Sequence, residues 1–113
     1  MVMRQARSLS VKATDIGLQL AQAANGKARG SLRFSDPQTK LEYRLVEAGL
    51  LQTHTKWASF TALVRAGTEE RAVLVVLDGG KEMNAQAAIR VEIEGGGHWE
   101  AKLNPNAYKI SMK

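Results

Sequence analysis

The chain has 113 residues, 16 Lys/Arg against 11 Asp/Glu for a net charge of +5, two His and no Cys. That length gives room for one domain, which should bury roughly two-thirds of the surface its unfolded chain exposes. The lack of Cys excludes a disulfide framework and every thiolate metal site, leaves packing to hold the fold, and fits a reducing or an oxidising compartment alike.

Charge is unevenly spread. Residues 1–44 carry Arg4, Arg7, Lys12, Lys27, Arg29, Arg33, Lys40 and Arg44 against Asp15, Asp36 and Glu42, so this stretch holds the whole excess. A basic face attracts polyanions, because neutralising fixed charges releases counterions. Proteins that read nucleic acid also interleave aromatic rings for base stacking. Only Phe34 and Tyr43 fall in the basic stretch, each in phase with apolar neighbours. The cations are therefore expected on the outward positions of alternating strands, where they keep the surface soluble and discourage edge pairing, and no specific nucleic-acid binding is expected. No apolar run approaches the length of a bilayer crossing, and the basic start Met1–Arg7 leads into polar alternation instead of an apolar signal core. The chain as given is expected to hold no membrane span and no signal peptide, with residues 1–7 a flexible tail and 8–113 a single β domain.

The dominant pattern is period two. Leu9, Val11 and Ala13 alternate with polar residues, as do Ile16, Leu18 and Leu20, and residues 8–13 and 15–22 read as two strands or one bent at Thr14-Asp15. Ala24-Asn25-Gly26-Lys27 is a hairpin signal, since Asn-Gly accepts positive φ. Residues 30–35 turn Leu32 and Phe34 inward and end at Asp36-Pro37, where Pro lacks the ladder donor. Residues 41–46 put Leu41, Tyr43 and Leu45 on one face, and 50–53 form a weaker strand. Residues 56–65 and 71–77 pair through the turn at 66–70. In the second of these, residues 72–77 are apolar on both faces, the mark of a strand covered from both sides.

Asp78-Gly79-Gly80 stops that strand, and residues 81–88, with Met83 and Ala85, are the one place for a short helical turn, although a loop into a strand at 87–94 is preferred. After Gly95-Gly96-Gly97, Trp99, Ala101 and Leu103 alternate; Asn104-Pro105-Asn106 turns the chain, and Tyr108, Ile110 and Met112 complete the last strand. Short strands at this spacing without helices between them predict an all-β, antiparallel, Greek-key-like sandwich of about eight strands, with a closed β-barrel as the alternative.

Chemistry is sparse. His54 and His98 are far apart; His98 and Glu100 share a strand face, but two ligands do not close a metal site. Glu92 and Glu94 share a face and read as the solvated side opposite Val91 and Ile93. Gly95-Gly96-Gly97 lacks the helix start and Lys-Ser/Thr of a phosphate loop and reads as a turn. No catalytic, cofactor-binding or metal residue is assigned, and no cofactor is expected. Trp57 is out of phase with Ala58, Phe60, Ala62 and Val64, and so shares a mixed face with Ser59, Thr61 and Leu63; Trp99 is in phase with Ala101 and Leu103. Trp57, Trp99 and His98 are the candidate partner or ligand contacts.

The order Gly30-x-Leu32-x-Phe34-x-Asp36-Pro37, Ala58-x-Phe60, Val73 to Gly79, Ile89 to Ile93 and Gly95-Gly96-Gly97 resembles a family of bacterial secreted β-sandwich modules. Those modules recur near the C-terminal ends of large extracellular proteins, and their own role is undetermined. The resemblance covers roughly residues 15–113, rests on turns and core positions, and implies an extracytoplasmic setting with no catalytic residue to carry over. The leading expectation is a non-enzymatic accessory or interaction module that pairs with itself through sheet edges or faces; the alternative is a small-ligand or anion binder that uses a barrel mouth or the basic face.

Overall fold

The computed structural model describes residues 7–13, 16–22, 28–36, 40–54, 56–79, 87–95 and 97–112. Within them run nine strands: β1 (Arg7–Lys12), β2 (Ile16–Gln22), β3 (Arg29–Ser35), β4 (Glu42–His54), β5 (Trp57–Ala66), β6 (Glu69–Asp78), β7 (Ala87–Ile93), β8 (His98–Leu103) and β9 (Tyr108–Met112), with one 3-10 turn at Pro105–Ala107. All nine form one antiparallel sheet in the order β8-β7-β6-β5-β4-β3-β2-β1-β9. No helix among the described residues is long and apolar enough to cross a membrane.

Closure of that sheet depends on the last segment. β8 is antiparallel to β7, and β9 is antiparallel to β1. Because β1 and β7 point the same way in the meander, β8 and β9 do so too, and residues 98–112 run on in one direction through the 3-10 turn. The first half of this segment pairs with one edge of the sheet and the second half with the other. The result is a nearly closed, flattened barrel, 47 × 34 × 20 Å along its principal axes. The all-β antiparallel reading therefore holds, in its barrel form. Strands follow one another as hairpins because the connections are short: Gly67 (φ 65) and Thr68 alone join β5 to β6, with glycine at the position where a type II′ turn wants it. A Greek-key crossover would need a longer connection.

Alternation places the core. Leu9 and Val11, Ile16 to Leu20, Ala58 to Val64, and Ala87 to Ile93 bury every second side chain as their spacing predicts. Phe34 and Tyr43 stack inside with ring centroids 5.2 Å apart. Among the described residues the interior is filled mainly by apolar side chains, with Gln22 and Thr53 buried beside them.

Three expectations are corrected. Residues 42–54 form one strand instead of two, because two irregularities in its register with β5, between Leu45 and Glu47 and between Ala48 and Leu51, absorb the phase break. The 3-10 turn at Pro105–Ala107 falls where the sequence places the turn at Asn104-Pro105-Asn106. β6 is covered on one face only: Val73, Val75 and Leu77 are buried, while Leu74 is 36% exposed and Val76 is half-buried. In a single-walled barrel a strand has one inner face, whatever the composition of its outer one. Arg7, expected in the tail, already pairs with Gln22 and Met112. The turns expected at Thr14-Asp15 and Ala24–Lys27, the segment 81–86, and Pro37 lie outside the described residues.

Candidate functional site

The outer wall of β4, β5 and β6 is where the surface departs from the polar pattern. Cross-strand register sets Leu63 beside Ala72, Thr61 beside Leu74 and Ser59 beside Val76. From β4, Leu50 stands 67% exposed and Val46 44% exposed on the same side. Both residues sit within the register irregularities of β4, where extra residues oppose single partners on β5 and are pushed out of the ladder.

Gly49 lets the two strands close up at this point. A Cβ there would lie 2.5 Å from the Thr61 hydroxyl oxygen, so any side chain on Gly49 would prise β4 from β5. Two shallow hollows flank the protruding leucines. One, of about 470 Å³, runs between Leu50, Thr61, Leu63 and Ala72. The other, of about 320 Å³, runs between Thr61, Leu74, Glu92 and Glu94. Glu47, Glu92, Glu94 and Arg90 are exposed around this face. A contiguous apolar surface with a charged rim has the anatomy of a protein contact.

Of the residues singled out from sequence, His98 lies in the same cross-strand row as Thr61, Leu74 and Glu92, and Trp57 stands four residues from that row along β5. Trp57 is half-buried at the start of β5, on the outer face, across from Asp78 and His54. His98 is exposed in β8, opposite Glu92 and two residues from Glu100. Among the described residues no group of three His, Cys, Asp or Glu converges. Trp99 pairs with Val91 through its backbone; its side chain, like that of His54, lies outside the described residues. Glu92 and Glu94 are exposed opposite the buried Val91 and Ile93. Gly95 (φ 72) and the Ile93 N–H bond to the Gly97 carbonyl at 3.0 Å shape the turn between β7 and β8.

Leu50, Leu63 and Leu74 were not marked as site residues by the sequence. The signal was present in the doubly apolar run 72–77, which reads equally well as a strand covered on both sides. No protein-family model matches this chain, and no curated protein or solved structure resembles it beyond chance.

Proposed function

We propose that this protein is a non-enzymatic interaction module that pairs with a second copy of itself through the outer face of β4–β6. The observation that supports the reading is the exposure of Leu50, Val46 and Leu74 on one wall of an otherwise regularly alternating barrel. The face is suited to its own copy because it offers both protruding leucines and adjoining hollows. Its charges suit a two-fold as well. An axis lying in the face along the Thr61–Leu74 row sets Leu74 against Leu74 and brings Glu94 of each copy over Arg90 of the other, since Arg90 and Glu94 lie symmetrically about Glu92 on β7. The apolar centre is small, so the pairing is weak and concentration-dependent. The resemblance of the sequence to secreted bacterial modules points towards the same class of accessory role, outside the cytoplasm.

Sedimentation velocity across a wide concentration range tests it. The wild-type chain is expected to shift from monomer to dimer, Leu50→Ser/Leu74→Ser to remain monomeric with its melting temperature little changed, and Glu92→Gln to dimerise more tightly by removing like charge from the axis row. A wild-type chain that stays monomeric at the highest concentration, or a dimer indifferent to these substitutions, overturns the proposal.

A further inference from the structure

Sheet register assembles cations that the sequence scatters. Lys12 pairs with Gly17, Gly17 with Arg33, Arg33 with Arg44, and Arg44 with Arg65. One row across β1–β5 thus carries four exposed cationic side chains. At a strand spacing of about 4.8 Å the row spans roughly 19 Å, with three of the cations on consecutive strands. Two residues further along the strands, roughly 7 Å away, a second outward row reads Lys109, Ser10, Gln19 and Ser31.

The surface is low at Gly17, within the first row, and Gly30 borders it one residue beyond the second row, paired with Leu20. The Arg33 guanidinium lies across Gly17, with Nη2 3.8 Å from where a Cβ would stand. Gly30 has φ 148, and a Cβ there would run into the Gln19 carbonyl, so no other residue fits without moving the strands. The outcome is an open trough of about 720 Å³ lined by Lys12, Arg33 and Arg44 of the first row and by Ser10, Gln19 and Ser31 of the second, with Arg65, ion-paired to Glu70, beyond its end.

We propose that this trough binds an acidic polysaccharide, a sugar polymer carrying carboxylate or sulfate groups. The cation row meets the anionic groups of an extended chain, and the hydroxyl and amide groups of Ser10, Gln19 and Ser31 meet its sugar hydroxyls. Nucleic acid fits less well. The aromatic rings of this stretch, Phe34 and Tyr43, are stacked on each other in the core, 1% and 4% exposed, and offer no platform for a base.

Glu42 illustrates how an anion is held here. One carboxylate oxygen accepts from Arg33 Nη1 and the other from Arg44 Nη2, each at 3.2 Å. A guanidinium has five N–H donors, so this fork does not exhaust either arginine. Glu42 stands in the next cross-strand row, beside Ser35 and on the far side of the cation row from the trough, and competes with the ligand for both side chains. The site adjoins the apolar face of β4–β6, with Arg44 and Arg65 two residues from Val46 and Leu63 on β4 and β5, but the proposal does not depend on the dimer.

Binding of fluorescently labelled chains to polygalacturonate and to dextran sulfate tests it, with neutral dextran and single-stranded DNA as further arms, at low and physiological salt. The wild-type chain is expected to bind at least one acidic polymer at low salt, and the preferred polymer distinguishes carboxylate from sulfate recognition. Arg33→Gln/Arg44→Gln is expected to weaken that binding by about tenfold or more and to flatten its salt dependence. Arg90→Gln/Lys102→Gln, which removes equal charge from the outer face of β7 and β8, is expected to weaken it by less than about twofold. Glu42→Gln breaks the same ion pairs as the double arginine variant yet is expected to tighten binding, so a folding defect and a lost contact are told apart. Equal loss from both arginine-containing pairs of substitutions, DNA binding as tight as the polysaccharide, or no binding to either acidic polymer at low salt overturns the proposal.

Discussion

The side-chain oxygen of Gln22, at the end of β2, accepts the backbone N–H of Leu51 in β4 at 2.9 Å, in the buried interior. The Leu51 carbonyl accepts from Arg7 Nη1 at 3.3 Å. β3 and β4 pair only from Arg33–Ser35 against Glu42–Arg44, and beyond that ladder side chains take over the backbone groups of β4 at Leu51. Gln22→Leu removes the acceptor and leaves a buried N–H unpaired, at an expected cost of about 1–3 kcal/mol. Urea unfolding measures it, and exchange of the Leu51 amide should quicken together with the lost stability. A change below about 0.5 kcal/mol would mean that the seam is held by other groups.

Thr53 is the opposite case. It is 5% exposed, and its hydroxyl has no hydrogen-bond partner among the described residues. Thr53→Val keeps the shape and removes a desolvated hydroxyl, so it is expected to be neutral or stabilising by about 1 kcal/mol. Thermal unfolding decides the sign, and a clear loss would reveal a bonded hydroxyl.

The contact between Gly49 and Thr61 carries a third expectation. Gly49→Ala puts a methyl 2.5 Å from the Thr61 oxygen and 3.1 Å from its carbonyl, and such overpacking costs about 1–3 kcal/mol. Thr61→Ala in the same chain clears the nearer atom. A double-mutant cycle should therefore give less than additive loss; full additivity would place the strain elsewhere.

The two faces of β6 should respond differently to truncation. Val75 is 0% exposed, and Val75→Ala is expected to cost about 1–3 kcal/mol through lost transfer energy and a residual cavity. Val76, half-buried on the outer face, should lose less than half as much on truncation to Ala. Chemical denaturation of the two variants at low protein concentration compares them free of self-association; equal losses would indicate a second layer over the outer face.

Glu42 should titrate below the ordinary glutamate value of 4.5, chiefly because Arg33 donates to its carboxylate and then because Arg44 does. A lowered value means that this ion-pair contribution to stability is present above the ordinary range and is lost as pH falls through the value in the folded chain. Because the group is exposed, the contribution is small. Carboxyl carbon chemical shifts followed against pH measure it directly. The midpoint should rise in Arg33→Gln and in Arg44→Gln, with the larger rise in Arg33→Gln.

Taken by itself, the sequence determined the class of the fold and most of its core. Period two in Leu9–Val11, Ile16–Leu20, Ala58–Val64 and Ala87–Ile93 names the inward residues, because a strand side chain has only two directions to take. The pairing of 56–65 with 71–77 through the turn at 66–70 was also legible, and the structure tightens that turn to Gly67-Thr68. Register, closure and the sites were decided by tertiary structure. Lys12, Arg33, Arg44 and Arg65 form a row only because four pairings between strands align them, and no local pattern encodes those offsets. Leu50 faces outward because the irregularity between Ala48 and Leu51 in β4 breaks its alternation. Leu74 is exposed because the barrel is one wall thick, so an outer position of β6 that the chain writes as part of a second buried face stands at the surface.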